Sequence, residues 1–187
     1  MAAALYDRQF GYYTQKISGL GRHGDFSTSA TLHPVLGKAI AGWLQQQWME
    51  QGSLPVIEVG AGDGSLAVAI SSSFSWWKRR NLDYHIVDVS KPLLALQKAK
   101  LKNIKVRWHP DMQTALASVG GRALIFSNEL VDAFPCRLLQ KTERGWEEIF
   151  LRLNGAELKE EGEVLQEELC SDWSACGVGL SLKVGQR

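Results

Sequence analysis

Cysteine is scarce in this chain and badly spaced for its usual structural uses. Cys136, Cys170 and Cys176 are odd in number and include no C-x-x-C pair, which argues against a disulfide framework and against a zinc site. His23, His33, His85 and His109 are scattered, so each reads as structural or surface. No window approaches the ~18 apolar residues needed to cross a bilayer. The start, Met1-Ala2-Ala3-Ala4-Leu5-Tyr6-Asp7, lacks the basic flank and long apolar core of a secretory signal. A cytoplasmic location is therefore expected, or a mitochondrial one if the source is a eukaryote, although no presequence is visible. Charge of one sign is also missing. The balance of 21 basic to 20 acidic residues gives no electrostatic reason to expect nucleic acid or an anionic membrane as partner. Lys78-Arg79-Arg80 and the lysines at 98, 100, 102 and 105 fall at expected helix ends, where cations suit the macrodipole.

What is present is an ordinary globular composition, 45% apolar and 22% charged over 187 residues, enough for one well-buried domain. Apolar residues at 32, 35, 36, 39, 40, 43 and 44 follow helical spacing, and the pattern ends near Gly52. Strands are expected at 56–60, 83–89, 105–109 and 123–127. They alternate with helices at about 65–77, through 92–97, and from a cap at Asp111 to about Val119. This rhythm indicates an α/β, doubly wound parallel sheet. After it, 137–141 and 146–153 read as an antiparallel hairpin around Gly145, and 157–168 as a third short acidic strand or helix. The expected organisation is an N-terminal cap and helix (1–55), a ligand-binding core (56–135), a hairpin region (136–169) and a poorly ordered tail (170–187).

The densest signal is Val56-Ile57-Glu58-Val59-Gly60-Ala61-Gly62-Asp63-Gly64-Ser65. Glycines so close together belong where a chain turns sharply from strand to helix and lets its backbone touch a ligand. A dinucleotide fingerprint would need glycine where Ser65 stands, and a phosphate loop would need Gly-Lys-Ser/Thr, which is absent. What remains is Glu58-x-Gly60-x-Gly62-x-Gly64, with a carboxylate ahead of the glycines. That carboxylate would repel a pyrophosphate but can pair with the cationic amino-acid end of S-adenosyl-L-methionine (SAM). Glu58, Gly60, Ala61, Gly62 and Gly64 are therefore candidate cofactor contacts. Asp88, ending the second strand, is a candidate acceptor for both ribose hydroxyls; the alternative is a helix cap, in competition with Ser90.

With these residues assembled, the chain resembles the MidA-type class I SAM-dependent methyltransferases, a family that includes a mitochondrial protein arginine methyltransferase acting in respiratory complex I assembly. The blocks that carry the resemblance span about residues 4 to 150. They are Ala4-Leu5-Tyr6-Asp7 with Gly11-Tyr12-Tyr13, Gly24-Asp25-Phe26 with Thr28-Ser29, the Glu58-to-Gly64 loop, and Asp88-x-Ser90 with Leu93 and Gln97. Trp108-His109, Ser127-Asn128-Glu129-Leu130 with Asp132-Ala133 and Pro135, and Gly145-Trp146-x-Glu148 complete them. In the family the acid ending strand two is usually glutamate, and Asp88 keeps the same chemistry one methylene shorter.

The resemblance implies a Rossmann-like class I methyltransferase fold, here truncated after the fourth parallel strand and a β-hairpin. It implies SAM as cofactor, an arginine-containing protein substrate, and an exposed sheet edge open to a partner chain. A second reading is a non-catalytic assembly module that keeps the SAM-binding half-fold. By resemblance, Asp25 faces the site from a block folded over the cofactor, and Asp111-Met112 follows strand three where adenine is often contacted. Glu129 and Asp132 are the candidates to orient a guanidinium, which paired carboxylates suit, with Asn128 on the cofactor's amino-acid end or the substrate. Asp132 capping the turn before Pro135 is the alternative. Tyr12 and Tyr13 could line the cleft or lie in the core.

Overall fold

The computed structural model of the chain describes residues 1–17 and 34–165. Those residues form two compact units, Ala2–Phe134 and a smaller one beginning at Pro135. The larger unit runs α1 (Ala2–Tyr6), a π-helical turn (Tyr12–Lys16), α2 (Val35–Gln51), β1 (Val56–Val59), α3 (Ser65–Ser72), α4 (Trp76–Arg80) and β2 (Tyr84–Val87). It continues with α5 (Lys91–Lys100), β3 (Val106–His109), α6 (Met112–Ser118), β4 (Leu124–Ser127) and a 3-10 turn (Val131–Ala133).

The four strands are parallel in the order β3-β2-β1-β4, as the alternation of elements predicts. Every residue of β2 is buried, which fits a parallel strand covered on both faces. Side chains alternate between those faces. Val56, Tyr84, Ile86 and Leu124 pack with Leu44 of α2 and Leu66 and Ile70 of α3. Ile57 and Val87 turn the other way, against Ala115 of α6. Glu58 shares the face of Val56, so its carboxylate enters the larger core cluster's layer.

Two of the scattered histidines meet on the second face. His85 Nδ1 lies 2.8 Å from His109 Nε2, and His85 Nε2 lies 3.2 Å from Asp83 Oδ1. Burial lowers the His85 pKa, and Arg107 adds to that effect. A neutral ring that donates from Nε2 to Asp83 accepts at Nδ1 from His109.

One expected helix divides. In place of a single helix from Ser65 to Trp77, α3 stops at Ser72 and α4 begins at Trp76. The intervening Ser73 turns its hydroxyl back onto the Ala69 carbonyl at 2.8 Å, a local bond that competes with helix propagation. Phe74 then drops into the core against Trp48, with ring centroids 5.4 Å apart.

In the smaller unit, β5 (Leu139–Thr142), β6 (Gly145–Asn154) and β7 (Glu157–Val164) form an antiparallel sheet in that order. The acidic 157–168 segment is a strand to Val164, and the tail after Leu169 lies outside the described residues.

Gly37 of α2 faces α3 so closely that a Cβ would sit 2.4 Å from Ala69 Cβ and 2.9 Å from the Ala69 carbonyl carbon. Alanine normally improves a helix by about 1 kcal/mol over glycine, but overpacking here costs about 1–3 kcal/mol. Gly37→Ala is expected to lower the urea unfolding midpoint; a raised midpoint would show that the two helices are not pressed together at this point.

Candidate functional site

The site is built where β1 gives way to α3. Gly60, Gly62 and Gly64 have φ of 70°, 56° and 83°, left-handed conformations that L side chains resist. Gly60 N–H donates to the Val87 carbonyl at 2.9 Å, and Gly64 N–H donates to the Ala61 carbonyl at 2.9 Å. The loop is thereby tied to β2 before it enters α3. A Cβ on Gly60 would lie 2.5 Å from Leu130 Cδ1, so the glycine also admits the segment after β4. Asp63 turns away from the cavity: it accepts from Ser65 N–H at 2.9 Å and pairs with Lys100. Burial raises its pKa, but the bonds to Lys100 and Ser65 outweigh that and hold the carboxyl low.

A cavity of about 230 Å³ opens over this loop. Glu58, Gly60, Ala61 and Gly62 form one wall, Asp88 and Ser90 another, and Asn128, Glu129 and Asp132 a third. Three strand ends thus bring together eight of the residues singled out from sequence, at the carboxyl edge of the parallel sheet where α/β folds bind ligands. The rest fall elsewhere. Gly64 stands behind the wall against Leu101 and Gln97. Asp111 is absent from the lining and caps α6 by accepting from Thr114 N–H at 2.7 Å. Met112 packs on the Ile57–Val87–Ala115 cluster. Asp25 lies outside the described residues.

Burial raises the pKa of both acids that line the cavity beside the loop. Glu58 is 2% exposed and accepts from Tyr84 OH at 2.7 Å. Burial pushes its pKa from 4.5 to about 7; the Tyr84 bond opposes the rise, and Asp88 and Asp63 add to it. Burial also raises the Asp88 pKa, against hydrogen bonds from Ser90 N–H and Gln97. Neither carboxylate has a cation beside it among the described residues. A cationic ligand group entering here would relieve a desolvation cost already present.

Gln97 couples the two walls. Its buried amide donates to the Gly62 carbonyl at 2.8 Å and to Asp88 Oδ2 at 2.7 Å, and its Oε1 accepts from Trp108 Nε1–H at 3.1 Å. Ser90 takes the N-cap position of α5, with no side-chain cap bond. Asp88 Oδ1 accepts from Ser90 N–H at 2.9 Å, while the Ser90 hydroxyl reaches Tyr13 O at 2.7 Å. Glu129 has φ of 49°, an unusual conformation for a non-glycine residue and one that clusters at functional sites.

The N-terminal segment supplies the remaining wall. Tyr6 and Tyr13 line the cavity with rings stacked at 5.6 Å, and Tyr6 OH donates to the Ala133 carbonyl at 2.8 Å. Tyr12 meets Tyr13 edge-on at 5.0 Å and is not part of the lining. Sequence reasoning named Tyr6 and Gln97 only within motif blocks and gave them no role. No local pattern marks either, because Tyr6 meets Ala133 across 127 positions and Gln97 meets its partners only once β1, β2 and β3 lie side by side.

Comparison with known proteins bears on this geometry. A family model described as "Putative S-adenosyl-L-methionine-dependent methyltransferase" matches residues 39–176. The mitochondrial protein arginine methyltransferase NDUFAF7 of Xenopus tropicalis is 31% identical over 173 residues, covering 77% of this chain and 39% of that protein. Its Mus musculus counterpart is 29% identical over 177 residues, covering 81% and 40%. Among solved structures, an uncharacterised protein of Burkholderia thailandensis matches with a TM-score of 0.72 at 25% identity, over 98% of this chain and 46% of that one. A member of the same superfamily from that organism, bound to S-adenosyl-homocysteine, matches with a TM-score of 0.69 at 27% identity, over 91% and 46%. The chain spans about two fifths of the length of the curated relatives it matches.

Glu58 gives the site a pH signature. Its folded pKa of about 7 lies above the ordinary 4.5, so the folded state holds the proton more tightly than the unfolded state does. Its contribution to stability is complete below pH 4.5 and is lost as pH rises through 7. Relative to Glu58→Gln, the ligand-free protein is expected to lose on the order of 3 kcal/mol across that window, read as the difference in urea unfolding free energy against pH. Parallel profiles for the two proteins would show a carboxyl that titrates normally.

Proposed function

The chain belongs to the S-adenosyl-L-methionine-dependent methyltransferase family whose model matches residues 39–176, and from that premise we propose that its cavity binds SAM and directs the methyl group to an arginine of a protein. The observation that carries this reading is the convergence of Glu58, the Gly60–Gly62 backbone, Asp88 and the Asn128–Asp132 segment on one cavity. The residues fit the cofactor in charge and in space. The left-handed glycines clear room for close backbone approach, and the buried Glu58 and half-buried Asp88 line the same cavity with no basic side chain paired to either among the described residues. When bound, the cofactor supplies a methyl group activated by its sulfonium.

In this reading Glu58 pairs with the ammonium of the cofactor's amino-acid end, and Asp88 accepts from the ribose hydroxyls. Gln97 keeps Asp88 and Gly62 in register. Glu129 and Asp132 hold the planar guanidinium by charge-assisted bonds, orient one nitrogen toward the methyl carbon and take up the proton it releases. Asn128 hydrogen-bonds the cofactor's amino-acid end or the substrate. The names of the arginine methyltransferase relatives support this substrate class, and a eukaryotic source would put the chain in mitochondria with them. We also propose Asp25 as a contact from the segment before α2, and Asp111 and Met112 as outer adenine contacts.

β4 is the terminal strand of its sheet among the described residues, paired only with β1, and Ile125 is 44% exposed. That edge is where a partner segment would add. The alternative, a non-catalytic assembly module, is separated by measurement. Isothermal titration is expected to show S-adenosyl-homocysteine binding to the wild type and none to Gly62→Arg. Asp88→Ala should weaken binding roughly 10- to 100-fold, from loss of charge-assisted hydrogen bonds. Glu129→Ala and Asp132→Ala are expected to bind normally but to lose about 100-fold or more in methyl transfer, followed with labelled SAM in a mitochondrial protein extract and by mass spectrometry of the products. Transfer that survives both substitutions removes the substrate-orienting role; binding without transfer in the wild type supports the assembly module.

A further inference from the structure

The segment between α3 and β2 is organised in a way the cofactor site does not require. Every residue from Ser75 to Asn81 is exposed, while Phe74 before it and Leu82 after it are buried at 6% and 3% exposure. The chain is therefore pinned at both ends and holds one helical turn, Trp76-Trp77-Lys78-Arg79-Arg80, out into solvent. Trp76 and Trp77 are 49% and 72% exposed. They meet edge to face at 4.5 Å, and the Arg80 guanidinium lies 4.8 Å over the Trp76 ring. Lys78 Nζ reaches across to Gln45 Oε1 on α2 at 3.1 Å. One turn along that helix is Met49, 83% exposed.

Two features separate this patch from an ordinary solvated face. Large indoles are costly to leave in water, and here two sit side by side on a turn fixed by its buried flanks. The charge is also uncompensated: among the described residues, Lys78, Arg79 and Arg80 have no carboxylate partner. Asp83 pairs with Arg107, and Glu50 on α2 accepts hydrogen bonds from Gln46 and Gln47. Whole-chain neutrality hides this local asymmetry.

We propose that Trp76, Trp77, Lys78, Arg79 and Arg80 form a peripheral docking surface for an anionic lipid bilayer. Indoles settle at the headgroup level, where an apolar ring with one N–H donor is best solvated. Lysine and arginine on the same turn reach lipid phosphates while their stems lie along the apolar layer. No described helix is long and apolar enough to cross a membrane, so the contact is a surface one. Single-stranded nucleic acid fits less well. Its bases need ring faces in succession and a basic groove along the backbone, whereas here one indole edge closes on its neighbour's face and the cations share a single turn.

The test is flotation of the full chain with vesicles of phosphatidylcholine alone and of phosphatidylcholine mixed equally with phosphatidylglycerol. The wild type is expected to bind the anionic vesicles, to ignore the neutral ones and to be released by high salt. Each cation lost should weaken partitioning roughly fivefold, so Arg79→Gln with Arg80→Gln falls about 25-fold. Trp76→Ser with Trp77→Ser should abolish quenching of protein fluorescence by brominated acyl chains. Both double variants alter exposed residues only, and thermal melts matching the wild type confirm their folding. Binding that is absent, equal on neutral vesicles or indifferent to both pairs of substitutions overturns the proposal. So does preferential binding of a single-stranded oligonucleotide over anionic vesicles.

Discussion

A carboxylate placed inside a strand must be neutralised, paired or hydrogen-bonded, and Glu58 imposes that condition on everything around it. β1 runs through the middle of the parallel sheet, so its inward residues meet side chains and not water. An acid there costs stability unless its neighbours answer it. Tyr84 on β2 gives one hydrogen bond, and the remaining tension appears as a pKa near 7. The left-handed glycines that follow, the Gln97 amide holding Gly62 and Asp88 together, and the Leu130 side chain fitted over Gly60 then shape an opening beside that acid. A cationic group entering that opening would offset the cost of burying the acid.

The two ends of the cavity are held in different ways. At the glycine-loop end, Asp88 has partners on both oxygens and the loop is bonded to β2. At the other end, the Asn128–Asp132 segment leaves β4 through a left-handed Glu129, and Tyr6 and Tyr13 line the cavity with it. In the proposed reading, a hydrogen-bonded wall facing a strained segment with distant support suits a reaction that depends on aiming a nucleophile.

Much of this was legible in the sequence because the signals are local. The glycine spacing after Glu58 encodes a turn that only those residues can make, and Asp111 four residues before Ala115 is a cap that needs no tertiary help. The alternating strands and helices sufficed for the sheet, and the Gly145 turn for the hairpin. Other features depend on what the chain meets after folding. The break at Ser73 arises from a back-bond and from the pull of the core on Phe74, neither visible in a periodicity that favours one long helix. His85 and His109 look unrelated until the β2–β3 register sets them on one face. Tyr6 reaches Ala133 across 127 positions, and the positive φ of Glu129 carries no compositional mark. The basic run at 78–80 reads as a helix end, and only folding reveals two exposed indoles beside it.

The measurement closest to the central claim is the titration of the Glu58 side-chain carboxyl by carbon NMR, with and without saturating S-adenosyl-homocysteine. The account requires a midpoint near 7 in the ligand-free protein and a marked drop when the ligand's ammonium group occupies the cavity. A midpoint at the ordinary glutamate value, or one that ligand saturation leaves unmoved, would contradict it.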